Sequence, residues 1–248
     1  MKRFASLAVL VALIVTANIA RADIFMRQNQ HMDSFQVMGQ TQPATDMEVT
    51  VWITDEGMRS DNPQQSAIVK LEQKMLILLD HQQRKIAKMP LDADAMKASM
   101  ASQGQDLSAA DKAKFQEMMG KMAQIKVSIT ESDERRKIGD WNCTKYLQTI
   151  ETFMGPATTE VWATEDLQID MDRYVDLTTA MMAMQPGMKE NLAQVQQELK
   201  KIKGVRVHEK TSNDMMGTKV NSTITLLEFK EMKAPDDLFD LPKGYTNQ

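Results

Sequence analysis

The chain has 248 residues, of which 42% are hydrophobic and 26% charged, and its formal net charge is −4. An acidic chain is a poor candidate for binding nucleic acid, because that binding depends on Lys and Arg neutralising phosphates. The single cysteine, Cys143, excludes an internal disulfide, so the fold must be stable through its core alone. A chain of this length can bury a sizeable core.

The N-terminus has the three parts of a secretory signal. Lys2 and Arg3 form a basic start, Leu7–Val15 is apolar, and Ala20-Arg21-Ala22 supplies a small-x-small cleavage pattern. Cleavage after Ala22 would remove three basic residues and no acidic one, which takes the net charge from −4 to −7. The apolar run is shorter than the roughly 20 residues of a membrane span, so a retained anchor is the alternative interpretation. We predict a signal over residues 1–22 and a periplasmic or secreted protein.

Residues 23–248 contain no linker, and we predict one domain that begins with a run of strands. Asp23–Gln40 is mixed and fits one long strand or a short helix leading into a strand. Met47–Thr54 then alternates strictly, with Val49, Val51 and Ile53 on one face, as in a half-buried strand. Turn residues separate it from further short apolar segments that most simply pair as an antiparallel meander. These segments are Met58–Asp61, Ser66–Leu71, Met75–Asp80 and Arg84–Met89.

Two sections have helical periodicity instead. After Pro90, apolar residues recur every three or four positions, first from Ala93 to Met100 and then from Phe115 to Ile125. A second section begins near Asp170 and continues, after an interruption at Gln185-Pro186-Gly187, as the stripe Met188, Leu192, Val195, Leu199 and Ile202. Gly204 is a plausible C-terminal stop for that helix.

Strand patterns follow each helical section. After the first come Ile125–Thr130, Thr144–Thr152 and Thr158–Thr164, with the charged run Glu131–Lys137 interpreted as a solvated hairpin tip. After the second come Gly204–Ser212 and Thr218–Met232, and the tail Pro235–Tyr245 has the composition of a closing flap. The order predicts an α+β fold, a curved antiparallel sheet or incomplete β-barrel covered by α-helices.

In layout and in several short motifs the chain resembles the LolA-like superfamily, and more closely the uncharacterised exported DUF4412 family with the same fold. The matching pieces are Val51-Trp52-Ile53-Thr54 before Gly57-Met58-Arg59, the strands Ala67–Leu71 and Met75–Asp80, Ile138–Tyr146, and the ending Pro235–Tyr245.

The resemblance implies an unclosed barrel with a helical lid and a hydrophobic cavity, which in the best-known members receives the acyl chains of lipoproteins in the periplasm. Other members of the superfamily act as envelope-stress sensors, so the fold alone does not set the function. This chain departs from the carrier pattern in its long, Met-rich helical sections, and no lid-locking arginine aligns.

Twenty-two methionines are the compositional oddity of the chain. Flexible thioethers adapt to apolar ligands of varied shape. The alternative is that these residues pack helices on the sheet, since a stripe at helical spacing usually means core. Binding of Cu(I) is a third interpretation, but no compact Met series joined to a His cluster supports it.

No motif predicts catalysis or a metal site. His31, His81 and His208 lack metal-ligand spacing and are expected to be solvated or hydrogen-bonded, and Cys143 is expected to be a buried thiol. The chain has no nucleophile elbow, phosphate loop or dinucleotide fingerprint. We therefore predict a protein that is not an enzyme and that has no cofactor.

The function predicted from these features is that of an exported binding protein that holds a lipid, an acyl chain or a lipidated protein in a hydrophobic cavity, and a carrier in the cell envelope is one form of that function. The expected partners are lipid or lipoprotein acyl chains and an envelope protein, with no nucleic acid. The alternative is a protein-interaction or stress-sensor module with no ligand cavity in use. Twelve apolar residues are predicted to line the cavity: Val49, Val51, Ile53, Val69, Leu71, Ile77, Leu79, Phe115, Met118, Met122, Met181 and Met182.

Overall fold

The computed structural model describes residues 22–37, 39–91, 126–152, 155–167, 169–170, 174–175, 192–215 and 218–247. Fourteen strands and one helix are formed by these residues. The elements are β1 (Ile24–Met32), β2 (Phe35–Val37), β3 (Gln40–Gln42), β4 (Thr45–Ile53), β5 (Gly57–Asp61), β6 (Gln65–Lys70), β7 (Met75–Asp80), β8 (Lys85–Pro90), β9 (Lys126–Ile138), β10 (Trp141–Thr152), β11 (Gly155–Thr164), α1 (Leu192–Leu199), β12 (Val205–Met215), β13 (Thr218–Glu231) and β14 (Thr246–Asn247).

Twelve of these strands form one large, curved sheet, in the order β14-β8-β7-β6-β5-β4-β1-β13-β12-β11-β10-β9. β2 and β3 form a separate hairpin. Among the described strands, the two ends of the order do not pair with each other, so the sheet is open. All neighbours are antiparallel except β14, which lies parallel to β8. β1 occupies the middle because it pairs on one side with β4 and on the other with β13.

The predicted meander is confirmed, since β4 to β8 are neighbours in the order in which they occur in the chain. The hairpin between β4 and β5 depends on Gly57, where an added Cβ would lie 1.8 Å from the carbonyl oxygen of Val69. No side chain fits there, because β6 passes directly beside the turn. The sequence pattern therefore predicted the positions of these strands, and Gly57 allows β5 and β6 to approach each other closely.

The charged run Glu131–Lys137 is not the hairpin tip that its composition predicted. It is part of β9, and the turn into β10 falls at Gly139-Asp140. β9 is the edge of the described sheet, and charged residues on an edge strand discourage pairing with other chains. A polar run can thus extend a strand where one side of the strand faces solvent.

Three residues of the predicted helical stripe, Val195, Leu199 and Ile202, are buried beside β9 to β11. The helix ends at Leu199, so Ile202 lies just beyond it, and Met188 lies outside the described residues. Within the described residues α1 is a single short helix beside β9, so the predicted covering of the sheet by α-helices is not evident there. Glu198 fixes α1 to the edge strand by accepting a 2.8 Å hydrogen bond from the backbone N–H of Ile129. The predicted helices between residues 92 and 125, and most of those between 171 and 191, lie outside the described residues, as does the predicted signal up to residue 21.

The sheet has two faces, which the register defines. Face A carries Ile53, Val69 and Leu76, which are linked by direct cross-strand pairing through β5. Face B carries Ile68 and Ile77, which pair with each other on the opposite side of the same strands. Both faces are apolar over β5 to β8, so this part of the sheet has two hydrophobic layers.

The C-terminal segment, residues 232–247, forms a strap over face B. Phe239, Leu241 and Tyr245 pack against a buried cluster formed by Ile68, Ile77, Leu79 and Ile86. The strap ends as β14 on the edge of β8. The tail predicted to be a closing flap therefore does cover a hydrophobic layer, and that layer is on face B. Within the described ranges, no helix has the length and apolar character that a membrane crossing requires.

Candidate binding face of the sheet

A continuous apolar row crosses face A at right angles to the strands. Successive pairings join one residue from each of six strands, β1 and β4 to β8. All six side chains are apolar and five of them are buried. We call this row 1, and its members are Ile24, Ile53, Met58, Val69, Leu76 and Met89.

A second row runs beside it on the same face, two residues further along each strand. It contains three small residues, Ser60, Ala67 and Ala87, and it is only half-buried over β4 to β8. Its other three members, Met26, Val51 and Leu78, are large, and the half-buried surface along this row is called the trough. We call this row 2, and its members are Met26, Val51, Ser60, Ala67, Leu78 and Ala87.

Five of the predicted lining residues belong to face A. Val49, Val51 and Ile53 point to one side of β4, and Val69 is fully buried in row 1. Leu71, just beyond β6, packs against the same cluster. Strict alternation in β4 had already placed its three residues together, and the register adds the other two.

Two predicted lining residues, Ile77 and Leu79, lie on face B. They pair with Ile68 and Ser66 and are buried beneath the strap. In β7 the residues that share face A are Leu76 and Leu78. The segment Met75–Asp80 is apolar at five successive positions, so alternation could not tell which residues face which side.

The remaining predicted lining residues come from the helical sections. Phe115, Met118, Met122, Met181 and Met182 lie outside the described residues. Their part in the binding face stays a prediction.

Further along face A, a polar cluster surrounds Arg206. Its Nη1 donates to Glu209 at 2.8 Å and its Nη2 donates to Gln148 at 2.9 Å. Gln148 is buried, and only 17% of the Arg206 side chain is exposed. Burial acts to lower the pKa of Arg206, but the charge of Glu209 and the nearby Tyr174 outweigh it and raise the pKa. The guanidinium therefore stays charged inside the fold.

Sequence alternation gave no sign of this arginine. Val205 and Val207 flank it, so the pattern placed Arg206 on the solvent side of its strand. The pairing with β11 shifts at this point: His208 pairs with Trp162, whereas Arg206 pairs with the next residue, Ala163. Such a β-bulge changes which side chains share a face. All three residues from Val205 to Val207 are consequently buried or half-buried.

A chain of side-chain hydrogen bonds connects face B to the strap. The Ser66 hydroxyl donates to Asp61, which also receives two 2.9 Å contacts from Arg59 Nε. Ser66 Oγ lies 2.9 Å from His81 Nε2, and His81 Nδ1 lies 2.9 Å from the Tyr245 hydroxyl. Since the Ser66 proton goes to Asp61, Ser66 Oγ accepts a hydrogen bond from His81 Nε2. We call these side chains the relay.

The relay differs from a nucleophilic serine pair in its direction. A catalytic serine gives its proton to histidine, whereas Ser66 gives its proton to Asp61 and accepts from His81. Ser66 is also completely buried. Arg59 extends the same network to the strap by donating to the backbone oxygen of Leu238 at 2.6 Å. These hydrogen bonds hold the strap on face B, so the relay has a structural role.

The other polar candidates have ordinary environments. Cys143 is buried, and desolvation together with the charge of Asp166 raises the pKa of its thiol, as expected for an inert cysteine. His31 is hydrogen-bonded to Asp46 and Asp33, and the Asp46 contact is the main cause of its raised pKa. Within the described part of the chain, no group of three or more metal-ligating side chains has the geometry to hold a metal ion.

Comparison with known proteins gives a single type of match. No protein-family model matches the chain, and no curated protein matches it. Among solved structures it is similar to the crystal structure of a DUF1329 family protein from Desulfovibrio piger, with 8% sequence identity and a TM-score of 0.31. The match covers 89% of this chain and 90% of that one. A likeness at this level carries no information about what either protein binds.

Proposed function

We propose that this protein is an exported binding protein that holds an acyl chain, or another elongated apolar ligand, against face A of its sheet. The observation that carries the proposal is row 2, a half-buried surface in which three of six side chains are small, beside the apolar row 1. The half-buried part of the trough crosses five strands, β4 to β8, which are about 4.8 Å apart, so it is roughly 19 Å long. A hydrocarbon chain is the ligand that such a long, narrow apolar surface accommodates.

The hydrophobic effect is the driving force in this proposal. Each buried CH₂ group contributes roughly 0.8 kcal/mol, so about ten methylenes would supply substantial affinity before the costs of association. No catalytic group is needed for this activity, and the protein is proposed to be a binding protein without enzymatic activity. Export follows from the predicted signal, and the resemblance to the LolA-like superfamily supports both parts of the proposal.

Filling the trough tests the proposal. Ala67 lies in row 2 between Ser60 and Leu78, and an Ala67→Phe change would place a ring across the path of the chain. We expect it to weaken the binding of a fluorescent C16 fatty-acid probe at least tenfold, measured by titration. The matched control is Thr50→Phe, which adds the same ring on face B of β4, two strands away from β6, and it should leave binding unchanged.

Two results would contradict the proposal. One is protein purified from its native compartment that carries no extractable lipid and also fails to bind the probe. The other is an Ala67→Phe variant that binds as well as the unchanged protein while its circular dichroism shows an intact sheet. Recovery of a stable protein partner in place of lipid would favour the interaction module instead.

A further inference from the structure

The side chain of His31 lies between two carboxylates at the end of β1. Its Nδ1 is 2.9 Å from Asp46 Oδ1, and its Nε2 is 3.2 Å from Asp33 Oδ1. A neutral imidazole has one N–H, so it donates to one of these oxygens and turns a lone pair toward the other. The protonated ring has two N–H groups and donates to both. The arrangement therefore suits the imidazolium and leaves one repulsive contact in the neutral ring.

The two carboxylates stand where the β2–β3 hairpin joins the large sheet. Asp33 directly follows β1, and Asp46 is the second residue of β4. The hairpin forms a separate two-stranded sheet, so its position depends on these two connections and on its contact with β13. The backbone N–H of Asp33 donates to the carbonyl oxygen of Asn221 in β13 at 3.0 Å. The ring of His31 bridges the outgoing and the returning connection.

The charges around His31 favour the protonated ring. β2 and residues 221–225 of β13 carry no charged side chain, and Glu48 on β4 is paired with Arg27 at 3.1 Å. Lys210 on β12 is in the same cross-strand row, two strands or about 10 Å away, where salt screens much of its repulsion. The two carboxylates outweigh it and raise the pKa of His31 above its ordinary value of 6.5, and the hydrogen bond to Asp46 is the largest cause.

From this geometry we infer that His31 is a pH-sensitive clamp, whose protonated ring holds the β2–β3 hairpin on the end of the sheet and whose neutral ring releases it. A group with a raised pKa in the folded state contributes stability that is fully present below its ordinary pKa. That stability is lost as the pH rises through the raised pKa. The clamp therefore closes in acid and opens in mild alkali. Solvent reaches the ring, because 35% of the side chain is exposed.

Two measurements on the whole protein test the clamp. An NMR titration of the His31 ring gives its pKa, which we expect above 6.5. Hydrogen–deuterium exchange gives the protection of the peptide that contains β2 and β3, with labelling times adjusted for the intrinsic exchange rate at each pH. We expect this protection to be about threefold lower near pH 8.5 than near pH 5.5, because the titration lies between these values. The β5 to β8 meander should show no such change.

Three variants assign the effect to the ring. His31→Gln cannot titrate and should abolish the pH dependence of the hairpin. Asp46→Asn removes the largest cause of the raised pKa, so both the pKa of His31 and the midpoint of hairpin release should fall together. His208→Gln is the matched control, because that ring is hydrogen-bonded to the hydroxyl of Thr225 at 3.0 Å instead of bridging two carboxylates, and it should leave the pH dependence unchanged.

Three results would overturn the clamp. They are hairpin protection that stays constant across the titration, a pH dependence that survives in His31→Gln, and a His31 pKa at or below 6.5. Should His31→Gln not fold, the midpoint in Asp46→Asn decides: a lower midpoint supports the clamp, and an unchanged one overturns it. None of these measurements uses a ligand, so failure of the proposed function would leave them unaffected.

Discussion

Face A and face B of the β5 to β8 meander differ in what covers them, although both are hydrophobic. Face B is covered by the strap, which packs three apolar side chains on the sheet and is fastened by the relay. Face A has the trough of row 2, which is only half-buried. A strand with two apolar sides needs two covers. The C-terminus covers face B, whereas row 1 on face A is buried in a cluster against which Leu167, Ile169 and Tyr174 pack. One face is thus covered by the end of the chain and the other by contacts with a segment that follows β11.

Each face also carries a cluster of hydrogen-bonded polar side chains. On face B, the relay connects Ser66 and His81 to Asp61 and to Tyr245 of the strap. On face A, Arg206 donates to Glu209 and Gln148, which lie at two other positions of the same sheet. Networks of this kind make a folded surface rigid.

Of the changes that test the two faces, removing the strap should lower the free energy of unfolding most. Deletion of residues 234–248 exposes the cluster around Ile68 and removes Phe239, Leu241 and Tyr245 from it. We expect the free energy of unfolding to fall by about 4 kcal/mol, since each apolar side chain of this size contributes roughly 1.5–3 kcal/mol when fully buried and these are partly buried. Urea denaturation measures this change in the free energy of unfolding. Asp237→Ala, at an exposed strap position, is the control and should change little.

Two neighbouring residues on β6 test separately whether the strap stabilises each face. Ile68 and Val69 are both fully buried, one on each face. We expect Ile68→Ala to cost about 3 kcal/mol in the complete chain and much less once the strap is deleted, because its packing partner is then absent. Val69→Ala should cost about 2 kcal/mol with or without the strap. Equal coupling of both residues to the deletion, in a double-mutant cycle, would contradict the assignment of the strap to face B.

Loss of one relay contact should have the smallest effect. Tyr245→Phe keeps the ring against the face B cluster and removes the hydroxyl that is hydrogen-bonded to His81 Nδ1. We expect a loss of about 1 kcal/mol in unfolding free energy, the usual net value of one hydrogen bond. In a His81→Gln background the same change should cost less, because its partner is already altered. An unchanged cost there would mean that the hydroxyl acts independently of His81.

Much of the fold could be predicted from alternation and turn residues. β7 has the predicted bounds, and the strands of the meander match to within two residues. The charged β9 was missed because an edge strand needs no apolar alternation along its outer part. At the candidate site, Val49, Val51 and Ile53 were predictable because each is separated from the next by a polar or amphipathic residue.

What the sequence determined by itself is therefore the position of most strands and the identity of the residues that avoid water, since both follow from local periodicity. Where the periodicity does not distinguish the two sides of a strand, the tertiary structure decided which face each residue occupies. It assigned Leu76 and Leu78 to face A and Ile77 and Leu79 to face B, and it turned Arg206 inward at a bulge. The physical reason is that side chains alternate with a period of two, and only pairing with a neighbouring strand determines which of the two sides is which.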